Sequence, residues 1–174
     1  GPIASSSWYE ENLSKVPKDK LITGLGNYGY DWDWESEQGG KAVSFEEVMR
    51  MADKANLKVQ WDDMSKNPYI RYKDNNKSHE LWFLDSATFY NQWKLAVSNG
   101  VKGVALWRLG TEDPSVWDVV KGQKTNQLLT VKNGDMTYSY GEGSIFSSIT
   151  DQQEGKRSLE FDDSGFISSE SYLS

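Results

Sequence analysis

The 174-residue sequence predicts an α/β fold followed by a small antiparallel β unit. Three observations predict it. Two short, nearly unbroken apolar runs, Leu21 to Gly26 and Val101 to Trp107, read as buried strands. Between them, residues 57 to 84 alternate apolar and polar positions, the mark of antiparallel strands. All eight Trp and all four Pro lie at or before Trp117, whereas Asn126 to Ser174 holds neither and is rich in Ser, Thr, Gly and Asp. That shift places a boundary near residues 122 to 126, dividing the chain into 1–122 and a β-rich linker or accessory unit over 123–174.

Taken in order, Ser7-Trp8-Tyr9-Glu10 reads as a capping box opening a short helix over residues 7 to 15, closed by Pro17. Leu21 to Gly26 is then a strand buried on both faces. Ser44-Phe45-Glu46-Glu47 is a second capping box, with Val43 and Val48 as its hydrophobic staple and Phe45, Val48, Met49, Ala52 and Ala55 at helical spacing. Leu57-x-Val59-x-Trp61, Tyr69-x-Arg71 and Leu81-x-Phe83, with turns at Asn67-Pro68 and Asp74-Asn75-Asn76, predict a small antiparallel sheet. Phe89, Trp93, Ala96 and Val97 form a helix capped by Asp85 or Ser86 and stopped at Asn99-Gly100. Val101 to Trp107 is a second buried strand, and Asp113-Pro114-Ser115 opens a last helix. In the tail, Asn133-Gly134 is a hairpin signal between Leu128 to Val131 and Met136 to Tyr140. Ile145 to Ile149, Arg157 to Phe161 and Phe166 to Tyr172 are further strands. A unit of some fifty residues is near the lower limit for a core of its own, so it is expected to pack on the first part.

Composition excludes several functions. With 19 Lys+Arg against 26 Asp+Glu the formal charge is −7, no footprint for nucleic acid or an acidic membrane. No run approaches the length of a membrane helix, so no membrane insertion is expected. There is no Cys and a single His, His79, which removes thiolate chemistry and two-His metal motifs. No metal and no cofactor is expected.

Polar and aromatic residues collect just after the C-termini of the two buried strands, the edge that carries active sites in strand–helix barrels. Trp107 is the sharpest candidate there, as a platform for a sugar ring or, more plainly, as core. Asp31-Trp32-Asp33-Trp34-Glu35, if extended, places three carboxylates on one side, where crowding could raise one pKa and make Glu35 a general acid with Asp33 behind it. The plainer reading is a solvated loop. His79 reads as a surface polar residue, and Asp162-Asp163-Ser164-Gly165 as a turn. Gly24-x-Gly26-x-x-Gly29 matches a dinucleotide motif by letter only, because no helix start follows it.

Leu25-Gly26-Asn27-Tyr28-Gly29-Tyr30-Asp31-Trp32, Tyr69-x-x-Tyr72, Glu80-Leu81-Trp82-Phe83-Leu84-Asp85 and Gly103-Val104-Ala105-Leu106-Trp107-Arg108-Leu109-Gly110-Thr111-Glu112-Asp113-Pro114 resemble the C-terminal part of glycoside hydrolase family 18 domains. In particular they resemble the bacterial versions fused ahead of polysaccharide deacetylase and glycosyltransferase domains. The resemblance implies a partial (β/α) barrel over 1–122, comprising the last two strand–helix units with a small α+β insertion at about 41–84. It also implies an N-acetylglucosamine-containing polysaccharide as the partner, chitin or peptidoglycan, at a location outside the cell or facing its envelope. Trp107 matches the Trp that floors the family's sugar site, with Tyr28 and Trp32 as further binding candidates. The family's D-x-x-D-x-D-x-E acid motif has no counterpart, because Asp31-x-Asp33-x-Glu35 echoes its end but follows the wrong strand. A closed barrel takes about 250 residues, so the chain is expected to lack the N-terminal part of its own domain and not to be catalytic alone. Its open strand edges could pair with a second copy. A small glycoside hydrolase built on Glu35, or a free-standing carbohydrate- or protein-binding module, are the alternatives.

Overall fold

The computed structural model describes residues 1–122, 130–133, 136–140, 146–151 and 155–173, with side chains described for 1–121 and 159–172. Helix α1 (Ser6–Leu13) starts slightly earlier than expected. Its cap is Ser5, whose hydroxyl accepts the Trp8 N–H at 3.3 Å; Ser7 is already inside the first turn. Tyr9 and Leu13 are buried, and the Tyr9 hydroxyl donates to the Gly24 carbonyl at 2.7 Å, tying the helix to strand β1 (Ile22–Gly26). Burial, helped by nearby Tyr28, pushes that hydroxyl's pKa up to about 12.

Strand β1 pairs in parallel with β7 (Gly103–Trp107), Gly26 opposite Trp107. Leu21 to Gly26 is expected to be buried on both faces and Val101 to Trp107 to be a second buried strand, and here the structure corrects the reading. Thr23 and Leu25 are buried, with Val104 and Leu106 packed beside Leu25, whereas Ile22, Gly24, Ala105 and Trp107 are exposed. No described element covers that second face, so burial alternates with the pleat.

Between these strands lies a five-stranded antiparallel sheet with α2 (Phe45–Ala55) on one side. Its strands are β2 (Gly29–Asp33), β3 (Lys41–Val43), β4 (Gln60–Asp62), β5 (Asn67–Asp74) and β6 (Lys77–Phe83), in the order β3-β2-β6-β5-β4. The capping box is present: Ser44 accepts the Glu47 N–H and the Glu47 carboxylate accepts the Ser44 N–H. Val48, Met49, Ala52, Ile70, Leu81 and Phe83 form the core between helix and sheet, while Ala55 is exposed.

The Asp31 segment is no solvated loop; it is strand β2, paired with β6 from Gly29–Phe83 to Asp33–His79. Pairing wins because each acid finds a donor there. Gly29 is needed by this pairing, since a Cβ would come within 2.9 Å of the Trp82 carbonyl and 3.0 Å of Val43.

Helix α3 (Ser86–Ser98) is capped by Asp85, which accepts from both Thr88 N and Oγ1. Helix α4 (Val116–Gly122) follows Asp113, whose carboxylate accepts the Ser115 and Ser86 amides and so joins the two helix starts.

The tail forms a second antiparallel sheet, in the order β12-β11-β10-β9-β8. It contains β8 (Thr130–Asn133), β9 (Met136–Tyr140), β10 (Phe146–Asp151), β11 (Gly155–Phe161) and β12 (Ile167–Leu173). Asn133 pairs with Met136; Gly134 of the hairpin signal, Leu128, Ile145 and the boundary residues 123 to 126 lie outside the described residues. Asp162 accepts the Ser164 and Phe166 amides, closing the expected turn.

The sheet is docked on the first part. Asn91 of α3 donates Nδ2 to the Ile167 carbonyl at 2.8 Å and accepts its N–H at 2.7 Å, while Leu159 and Ile167 enter the core with Tyr90 and Leu95. Trp61 of β4 donates to the Ser168 carbonyl at 3.0 Å, and Tyr172 donates to Asp85 at 2.8 Å. No described helix is long and apolar enough to cross a membrane.

Candidate functional site

The site grows from the C-terminal ends of β1 and β7. Asn27 N–H donates to the Trp107 carbonyl at 2.7 Å, and Thr111 Oγ1 donates to the Asn27 carbonyl at 2.6 Å. The loop after Trp107 is held by Glu112, which accepts the Gly110 and Thr111 amides and the Trp117 indole N–H. Burial pushes the Glu112 carboxyl up, but these donors outweigh it and leave it below the usual carboxylate range. On this fixed edge Trp107 is 68% exposed. It is not core filler.

Tyr28, Tyr30 and Trp32 project at alternate positions of β2 and its approach, so they share a face. Their rings form a row: Tyr28 to Tyr30 edge-on at 5.6 Å, Tyr30 to Trp32 tilted at 5.9 Å. Cross-strand pairing widens the row into a surface, because Tyr30 faces Trp82 and Trp82 faces Tyr69, the last two stacked at 4.8 Å. Trp107 is linked to this row through the main chain at Asn27. Trp32 is half-buried against Gly40, where a Cβ would come within 2.9 Å of its ring, and its indole N–H is buried without a partner.

Sequence reading missed Glu80 and Arg71, which lie beside Trp32 in the same register. Glu80 is buried at 7% exposure, accepts Trp82 Nε1 at 2.5 Å and Arg71 Nε at 2.8 Å, and Arg71 in turn lies over the Tyr69 ring. Burial pushes the Glu80 carboxyl up; the hydrogen bonds from Trp82 and Arg71 outweigh it, and the net pKa is lowered. A carboxyl depressed in the folded state contributes stability that is present above its unfolded pKa, near 4.5, and is lost as pH falls through the folded value. The melting temperature of the wild type is therefore expected to fall below about pH 4.5 more steeply than that of Glu80→Gln. Identical acid limbs in the two proteins would assign the loss to other carboxylates.

The acidic side of β2 does not have the character of a proton donor. Asp31 and Asp33 do share a face, but each is engaged. Asp31 accepts the Tyr72 hydroxyl at 2.5 Å and bonds His79 Nδ1 at 3.0 Å, and His79 stacks on Tyr72 at 4.8 Å. His79 is thus half-buried and structural, not a loose surface residue. Asp33 pairs with Lys77 at 2.6 Å, and that bond holds its carboxyl below the usual range, opposite to what a general acid needs. Glu35 is exposed beyond the strand end and accepts the Ser78 amide at 2.9 Å. Among the described residues no group of three or more His, Cys, Asp or Glu could hold a metal ion.

No family model matches the chain. It is 32% identical over 127 residues to the cortical fragment-lytic enzyme of Bacillus subtilis (strain 168), covering 71% of this chain and 29% of that protein. Among solved structures it superposes on the spore cortex-lytic enzyme SleL of Bacillus megaterium QM B1551 with a TM-score of 0.64 at 27% identity, over 70% of this chain and 30% of that one. A chitinase from Chromobacterium violaceum ATCC 12472 gives a TM-score of 0.63 at 25% identity, over 73% of this chain and 41% of that one. The chain spans only about three tenths of the length of the cortical fragment-lytic enzymes of Bacillus that it matches.

Proposed function

We propose, from the premise that this chain is related to the family 18-like glycoside hydrolases, that it forms one wall of a groove for an N-acetylglucosamine-containing polysaccharide. The observation that carries the reading is Trp107, exposed at the end of a parallel strand next to the aromatic row Tyr28, Tyr30 and Trp32. Flat rings on a fixed edge suit the apolar faces of pyranose rings. On this reading β1 and β7 are the last two strands of a (β/α) barrel, and the sheet of β2 to β6 is the insertion that deepens the groove. The uncovered face carrying Ile22, Gly24, Ala105 and Trp107 is then the inner wall of the barrel, to be completed by strands that precede this segment. In isolation, the same open edges offer pairing to a second copy.

The chemistry of this wall is binding, not proton transfer. The carboxylates nearest the row are each engaged by a donor, and Glu35 lies exposed beyond the strand end with the Ser78 amide bonded to it. The polymer suggested by the relatives is a cell-wall or spore-wall glycan, placing the site outside the cell or facing its envelope.

The test is a titration of intrinsic Trp fluorescence with N-acetylglucosamine oligomers on the chain and on Trp107→Ala. Saturable quenching that disappears in the variant, at unchanged melting temperature, is the expected outcome. Quenching of equal amplitude and affinity in both proteins would overturn it.

A further inference from the structure

A cavity of about 340 Å³ lies at the far end of the five-stranded sheet, away from Trp107, lined by Trp34, Arg71, Tyr72, Lys73, Ser78 and His79. Its size is within the range of small-molecule sites. Arg71, Lys73 and Ser78 share the sheet face of Tyr30, Trp32 and Trp82, whereas Tyr72 and His79 alternate to the other face, where they stack on each other and both bond Asp31. Trp34 is 66% exposed and stands at the next alternate position after Tyr28, Tyr30 and Trp32. The Trp34 N–H is bonded to the Ser78 carbonyl at 3.0 Å, so the cavity lies just past the Trp32 end of the aromatic row.

The charges around the cavity are unequally satisfied. Glu80 is bonded to Arg71 through Nε, Asp33 is paired with Lys77, and Glu35 accepts the Ser78 amide. Asp74 alternates to the opposite face of β5 from Lys73. Lys73, which faces Ser78 across the strands, has no ion-pair partner among the described residues, and the Arg71 side chain is 61% exposed beyond its bonded Nε. An open indole face, a hydroxyl and two outward cationic groups thus converge on a chain that is acidic overall.

We infer that this cavity is a second subsite, which takes a carboxylate-bearing sugar of the polymer lying along the row. The pyranose rests on Trp34, Ser78 bonds its ring substituents, and Lys73 with the outer nitrogens of Arg71 meets the carboxylate. The inference rests on the groove proposed above and adds to it a preference for an acidic glycan over a neutral one.

Calorimetric titration separates the two readings. The probes are the neutral N-acetylglucosamine tetramer and the tetrasaccharide in which N-acetylglucosamine alternates with N-acetylmuramic acid, whose lactyl group supplies the carboxylate. The acidic probe is expected to bind about fivefold tighter at low salt, the upper end for an exposed ion pair, with the margin closing as salt rises. Lys73→Glu removes the margin and leaves the neutral probe unchanged, and Trp34→Ala weakens the acidic probe; both positions are exposed and outside the core. Equal affinity for the two probes, or a margin that survives Lys73→Glu, overturns the second subsite while leaving the groove intact. If neither probe binds, the groove itself fails, and the subsite with it.

Discussion

Replacing Asn91 by Ala is expected to release the tail sheet from the rest of the molecule while costing about 2 to 5 kcal/mol. Asn91 is 2% exposed and closes a two-bond ring with the main chain of Ile167, accepting its N–H and donating to its carbonyl. Ala fills neither role, so two buried backbone groups lose their side-chain partners at once. Ile167 is itself fully buried, so the loss cannot be relieved without pulling it out of the core shared with Tyr90 and Leu95. Hydrogen exchange at the Ile167 and Ser168 amides is the direct measurement, and it should accelerate far more than exchange in β5 and β6. Uniform acceleration throughout the chain would mean that the tail and the first part unfold as one unit. Unchanged protection at Ile167 would mean that the docking does not depend on Asn91.

Phe83→Ala is expected to cost about 3 to 5 kcal/mol, the range for deleting a fully buried aromatic side chain. Phe83 has no exposed surface, packs against Phe45 at a ring distance of 6.1 Å, and sits opposite Gly29 in the pairing of β6 with β2. Neighbours cannot close the cavity easily. Val43 and the Trp82 carbonyl already stand at contact distance around Gly29, and α2 is pinned at its start by its capping box. Urea unfolding followed by Trp fluorescence gives the number, and a loss under 1 kcal/mol would show that the helix can collapse onto the sheet. Because β2 carries the aromatic row, this variant should lose sugar binding together with stability, unlike Trp107→Ala.

Elements whose signals are local were legible in the sequence. Ser44 and Glu47 are three residues apart, so the start of α2 needs nothing from the rest of the chain. The same holds for Asp85 at α3 and for the turn at Asp162 to Gly165. What was not legible depended on distant partners. The Asp31 to Glu35 segment, read alone, is a run of exposed acids; its first half, to Asp33, is strand because β6, some fifty residues later, supplies backbone pairing and because Tyr72, His79 and Lys77 engage the two aspartates. The exposed faces of β1 and β7 were hidden for the opposite reason. An apolar run shows what a strand is suited to bury, and whether anything covers it is decided elsewhere in the fold. Trp107 was marked from its place at a strand end, whereas Glu80 and Arg71 became site neighbours only through register with Trp32.

The parallel pair of β1 and β7 joins segments separated by most of the first part of the chain, and bringing such distant strands together is slow and entropically costly. The antiparallel sheet shortens that path. Once β2 has paired with β6, Gly29 lies opposite Phe83 and the Leu84 N–H is bonded to the Tyr28 carbonyl, so the two ends of the insertion are already side by side. Only α3 and its short connections then remain to be closed before Gly26 meets Trp107, a saving of about 1 kcal/mol in loop entropy. The insertion therefore acts as a clasp in assembly, with its local hairpins forming first and the edge that carries Trp107 registering last.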